Sequence, residues 1–200
     1  MALKHPSERR IEVPRGHVAA VVTTLEMRAP APLGPEQTGV DRALSHIPRP
    51  DPNWYRDLFR RVGMPWLWFS RLGLDDAALT AILHDPLVEV HALIVAGVEA
   101  GLLELDFRDE GICELSFYGL TEEVIGRGHG RWLMNRAIER AWSRPIHKFW
   151  VHTCTNDHPA ALGFYTRSGF VPVRRQVEIA DDPRLTGVLP TDAAPHIPIL

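Results

Sequence analysis

The stretch that most constrains this chain is "VIGRGHGRWLM", residues 124–134. Gly126, Gly128 and Gly130 alternate with Arg127 and His129, and an apolar helical pattern begins at once. Glycine is costly at the mouth of a helix unless the backbone must turn sharply or approach something closely. The strand-like "ELSFYGL" (114–120) precedes it. A strand, a glycine turn and a helix in that order present unpaired N–H groups and the helix dipole to an anion. Two familiar phosphate motifs fail. A G-x-G-x-x-G fingerprint begun at Gly126 or Gly128 needs its third glycine at Arg131 or Leu133, and no Gly-Lys pair followed by Ser or Thr occurs. A glycine-rich turn without a ligand stays open at this point.

The flanking periodicities fill in the rest. "GHVAAVVTTLEM" (16–27), rich in Val and Thr, reads as a first strand, and proline-rich 28–52 as a long irregular connection. Asn53 is expected to cap a helix through "WYRDLFRRVG", and Asp75 or Asp76 a second through "AALTAILH". Runs at 88–95, 99–107 and 112–120, separated by turn-like "AGVE" and "RDEG", read as an antiparallel meander. From Gly130 the period becomes helical: Leu133, Met134, Ala137, Ile138, Ala141 and Trp142 form one stripe, which "SRP" ends. "KFWVHTCT" (148–155) alternates as a strand, Pro159 opens a helix closed by Gly169, and 170–179 is a further strand. The tail from 181 is proline-rich, with an edge strand at "HIPIL" left open. The order implies a mixed sheet with helices on both faces, in one domain over 1–200.

Composition removes several classes. Twenty-two basic against 25 acidic side chains give no nucleic-acid-coating or membrane-surface signature. Cys113 and Cys154 form no disulfide framework, which favours a reducing compartment. No apolar run could cross a bilayer, and "MALKHPSERR" shows no export signal, so a cytoplasmic protein is expected.

With its flanks, "ELSFYGLTEEVIGRGHGRWLM" (114–134) resembles the acetyl-coenzyme A motif of the GNAT acetyltransferases: a strand, Gln/Arg-x-x-Gly-x-Gly/Ala, then a helix. Gly128 and Gly130 take the two small positions, and Arg127 and Arg131 add charge near the expected pyrophosphate. The family's Gln or Arg falls on Ile125, which leaves the backbone N–H groups of residues 126 to 131, Gly126 and His129 among them. Downstream, "HPAALGFYTRSGFVPV" (158–173) resembles the second signature; the family's frequent Asn falls on His158, with Asn156 two residues earlier. The resemblance covers about 88–175 well. It implies an α/β (α+β) fold of GNAT type, a mixed and mostly antiparallel central sheet. It also implies acetyl-CoA as co-substrate, no metal, and a small-molecule or peptide amine acceptor, with a homodimer compatible.

The chemistry assigns roles. An amine acceptor arrives as an ammonium, with a pKa of about 10.4 for a lysine-like group, and must lose a proton. Some members of the family use a glutamate at the spacing of Glu114 as the general base. Flanking Cys113 and Leu115 are apolar, so Glu114 is expected on the opposite face. Tyr165 stands where the family places a tyrosine near the coenzyme sulfur, able to protonate the thiolate. Backbone from Phe117 through Tyr118 and Gly119 to Leu120 would pair with pantetheine amides as an added strand does.

Other groupings carry less. His152, Cys154 and His158 invite a metal reading but complete no tetrahedral set. Three tryptophans in "WYRDLFRRVGMPWLWF" (54–69) fit a core or an acceptor wall. Glu104 and Asp106 share a strand face and could attract a cationic amine or simply be solvated. A non-catalytic acyl-CoA sensor, a longer acyl donor and an alcohol acceptor remain open beside amine acetylation.

Overall fold

The computed structural model describes residues 10–200. The opening segment, and with it the reading of its missing export signal, lies outside the described residues. Among the described residues seven strands form one sheet in the order β2-β3-β4-β5-β6-β1-β7. They are β1 (His17–Met27), β2 (Arg42–His46), β3 (Val88–Val95), β4 (Val98–Asp106), β5 (Ile112–Leu120), β6 (Lys148–Cys154) and β7 (Val171–Asp181). The helices are α1 (Pro52–Gly63), α2 (Asp76–Leu83), α3 (His129–Trp142) and α4 (Ala161–Arg167). All neighbouring strands run antiparallel except β5 and β6. That parallel pair is joined through α3, the crossover that a parallel connection demands.

The helical stripe expected in α3 is buried. Leu133, Met134, Ala137, Ile138 and Ala141 pack with Leu103, Leu105, Phe149 and Val151 on one face of the sheet, each contributing up to roughly 2 kcal/mol. Tyr55, Leu58, Phe59 and Val62 of α1 join Leu79 and Leu83 of α2 on the opposite face, over Val90 and Leu102. Helices therefore cover both faces, as the element order implies. No helix among the described residues is long and apolar enough to cross a membrane.

The structure differs from the sequence reading in three places and decides a fourth, at 196–200, that the sequence leaves open. The connection at 28–52 contains β2, which pairs with β3 from Arg42↔Val95 to His46↔His91; five residues among prolines are too few for a periodic signal. α1 is capped by Asp51, whose carboxylate accepts from the N–H groups of Asn53 and Trp54, with Pro52 in the first turn. Asn53 is already helical. α4 starts at Ala161, two residues after Pro159. Residues 196–200 form no strand, although Gly16 N–H donates to the Leu200 carbonyl at 2.9 Å. The tail instead folds back: Leu189, Ala193 and Ala194 pack on Leu67, and buried Arg184 donates to Asp182 and to the carbonyls of Ala193 and Ile197.

β1 does not lie at the β2 end of the sheet. It is inserted between β6 and β7, pairing with both. The sheet is thus two halves, β2-β3-β4-β5 and β6-β1-β7, joined only where β5 meets β6.

Candidate active site

The join between the halves makes the site. β5 and β6 pair only at Ile112↔Lys148, Cys113↔Phe149 and Glu114↔Trp150. One residue later β5 carries a bulge: Glu104 faces Phe117 and Leu105 faces Leu115, leaving Ser116 without a partner on β4. A bulge bends its strand and adds twist, and the two strands part. A cavity of about 510 Å³ opens between them, walled by 115–120 of β5 on one side and Val151, His152 and Cys154 of β6 on the other. The β5 edge from Phe117 to Leu120 faces this gap, and among the described residues no strand pairs with it.

At one end of the cavity stands the glycine loop. Gly126 (φ 79°) and Gly128 (φ 78°) are left-handed, a conformation that a side chain disfavours. Gly128 is the N-cap residue of α3 and provides no side-chain cap. None of the backbone N–H groups of residues 126 to 131 donates a hydrogen bond among the described residues. Six consecutive free donors at a helix N-terminus form an anion cradle. Gly126, Gly128, Gly130 and Arg131 line the cavity. Arg131 reaches Ser168 Oγ at 2.9 Å and lies over the Phe164 ring. Arg127 and His129 do not line it: Arg127 points to solvent, and His129 is buried with Nδ1 unpartnered. Burial lowers the His129 pKa, helped by Arg42 and Arg127. Gln37, from the proline-rich connection, rests its amide 2.8 Å from where a Cβ on Gly128 would sit. It brings an amide beside the loop although position 125 is Ile; no local pattern in the sequence links 37 to 128.

Tyr165 enters from α4. It is buried and lines the cavity, and its hydroxyl has no hydrogen-bond partner among the described residues. Burial, and then Asp157, push its pKa upward, so it holds its proton. Tyr118 packs against it and donates to the Gly130 carbonyl, tying β5 to the first turn of α3. Asn156 and His158 also line the cavity.

Glu114 points away from buried Cys113 and Leu115, as alternation requires, but into a separate cavity of about 220 Å³ with Asp106, Arg108 and Trp150. It lies directly across from Asp106 on β4. Burial first, then Asp106, raise its pKa to about 7. Its Oε1 is 3.8 Å from Nδ1 of His152, and His152 does line the large cavity. Glu114 thus reaches the gap through an imidazole.

The pair Glu104 and Asp106 is neither solvated nor free to draw in a cation. Glu104 is 0% exposed and accepts from Tyr55 Oη and Arg71 Nη2, while Arg108 forks onto both oxygens of Asp106. Among the described residues no three His, Cys, Asp or Glu side chains stand together to hold a metal ion. Trp66 and Trp68 do line the large cavity; Trp54 instead donates to Glu99 beside α1. The wall formed by Val18, Ala20 and Val22 of β1 was invisible in the sequence, because it depends on where that strand is inserted.

Residues 51–170 match the family model of the acetyltransferase (GNAT) family. No curated protein matches the sequence. Among solved structures, the chain is similar to a GCN5-related N-acetyltransferase from Sphaerobacter thermophilus, with a TM-score of 0.60 at 16% identity over 83% of this chain and 53% of that one. A putative acetyltransferase of the GNAT family from Novosphingobium aromaticivorans gives 0.56 at 16% identity, over 84% and 67%. An aminoglycoside acetyltransferase from an uncultured soil metagenomic sample gives 0.52 at 16%, over 64% and 86%. The chain thus spans 53% and 67% of the first two structures.

Proposed function

The chain belongs to the GNAT acetyltransferase family, and from that premise we propose that it moves an acetyl group from acetyl-CoA to a primary amine by direct attack on the thioester. The observation that carries this is the run of six undonated N–H groups at 126–131, opening onto a cavity that also holds the unpartnered Tyr165 hydroxyl. Acetyl-CoA supplies an activated acyl carbon and a thiolate leaving group. The residues present fit it. Residues 126 to 131 offer donors to a pyrophosphate, with Arg131 adding charge, and the free edge at Phe117–Leu120 offers backbone groups to pantetheine amides. Asn156 and His158 lie on the same wall.

The amine nitrogen bonds to the thioester carbon, the C–S bond breaks, the amine loses a proton and the sulfur gains one. Tyr165, kept protonated by burial, donates to the departing sulfur. On the other side His152 faces the gap with Glu114 behind it, and a carboxyl with a pKa of about 7 is matched to taking up a proton near neutrality. Glu114 acts through His152 or a water rather than by touching the amine.

A coenzyme A release assay with a panel of amines, run with acetyl-CoA and with longer acyl-CoA, tests the reading. Acetyl-CoA-dependent release with at least one primary amine is expected. Tight binding of acetyl-CoA without release for any amine would make the chain a sensor instead, and release only with longer chains would change the donor.

A further inference from the structure

We infer that the acceptor is a monoamine carried on an aromatic or otherwise apolar body, and that polycations are excluded; this rests on the acetyl-transfer reading above. The end of the cavity away from the glycine loop has three apolar walls. Trp66 and Phe69 come from the segment after α1, Val18 and Ala20 from β1, and Ala180 from β7. Trp66 and Phe69 are half-buried, so part of each ring stays open to the space they border. Trp66 meets the edges of His158 and His196 at ring separations of 5.1 and 5.9 Å, a setting that holds a flat ring in place.

Two carboxylates near this end are already committed. Asp157 accepts from Trp68 Nε1 at 3.3 Å through one oxygen, and from Thr153 Oγ1 and Cys154 N–H at 2.7 and 2.8 Å through the other. Glu104, the nearby buried carboxylate, is held by Arg71 and Tyr55. Among the described residues Glu178 is the one other carboxylate on the cavity wall, and it is exposed. Arg131 and Arg167 line the same cavity and repel cations. A polyamine or aminoglycoside would bring several ammonium groups into a space with one uncommitted carboxylate. Each extra charge would be desolvated without a partner, which is strongly unfavourable. A single amine avoids this, because the reacting nitrogen must be neutral and the rest of the molecule meets rings and aliphatic side chains. The soil acetyltransferase that shares this fold acts, by its name, on aminoglycosides; the walls of this cavity favour the opposite chemistry.

The test is calorimetry on the coenzyme A-saturated protein with 2-phenylethylamine, spermidine and sisomicin, alongside coenzyme A release from acetyl-CoA with the same amines. 2-Phenylethylamine should bind at least roughly tenfold more tightly than either polycation, with little dependence on salt. Trp66→Ala should weaken that binding by roughly tenfold and leave coenzyme A affinity unchanged. Glu178→Gln, on an exposed side chain, should bind 2-phenylethylamine as wild type does. Tighter binding of spermidine or sisomicin, or collapse of 2-phenylethylamine binding in Glu178→Gln, would overturn the inference. Binding of 2-phenylethylamine with no release for any amine would uphold the apolar site and overturn acetyl transfer alone.

Discussion

Tyr165 lines the gap itself, whereas Glu114 sits in the smaller cavity beside it and reaches the gap only through His152. The Glu114 carboxyl is raised from 4.5 to about 7 by burial and by Asp106 across the ladder. The rate should therefore climb with pH through about 7 as this group ionises. Glu114→Gln should be slow at neutral pH, with the deficit shrinking where more amine arrives neutral; a pH–rate profile parallel to wild type would remove it from proton transfer. The same shift acts on stability. The folded state binds this proton more tightly than the unfolded one, so its contribution is full below about 4.5 and is lost as pH rises through about 7. Melting scans should show that part of the decline in wild type and not in Glu114→Gln. Tyr165→Phe removes only a hydroxyl that bonds to no other residue described. Its kcat should fall by roughly ten- to a thousand-fold with acetyl-CoA affinity nearly unchanged. Turnover equal to wild type would return the ring to the core it shares with Phe170.

At the scale of elements, the loop before α3 separates folding from binding. A Cβ at Gly128 would need φ near 78° and would collide with the Gln37 amide at 2.8 Å. A Cβ at Gly130 would meet only ordinary contacts, with Tyr118 Oη at 3.6 Å and Leu120 at 3.7 Å. Gly130→Ala should thus hold or raise the melting temperature, because alanine favours helix by about 1 kcal/mol over glycine, while weakening coenzyme A binding at the cradle. Gly128→Ala should lower both. Unchanged coenzyme A affinity in Gly130→Ala, measured by calorimetry, would move the anion site away from the start of α3. β7 shows how another element manages its exposure. It is an edge strand with Val173 and Val177 in solvent, and Pro172, a bulge beside it, and Arg174 and Arg175 blunt it against pairing.

Across the whole molecule, two half-sheets share three residue pairs, and the far end of the opening depends on the returning tail. Leu67 belongs to the segment that walls the cavity and is backed by Leu189, Ala193 and Ala194. Arg184, 3% exposed, holds that tail through Asp182 and three carbonyls. Arg184→Ala would leave Asp182 buried without its counter-charge, and the expected cost is about 3–5 kcal/mol in urea unfolding. A cost below about 1 kcal/mol would mean that the tail is held by its apolar contacts alone.

Much of this protein is decided by local pattern. The glycine loop, the α3 stripe, the β3–β4–β5 meander and Tyr165 on a short aromatic helix are all readable from neighbours within a dozen residues, since periodicity and turn chemistry are local properties. The family followed from two such motifs in order. Other features came from contacts between segments far apart in the chain. β2 exists because β3 offers an edge, and β1 becomes a cavity wall because it inserts beside β6. Glu104 is silenced by Arg71, 33 residues away, and Gln37 reaches Gly128 across the connection. Glu114 lies on the face that its neighbours require. Whether it meets substrate directly or through His152 depends on where β5 and β6 part, and a bulge at Ser116 sets that point through pairing that no window of sequence contains.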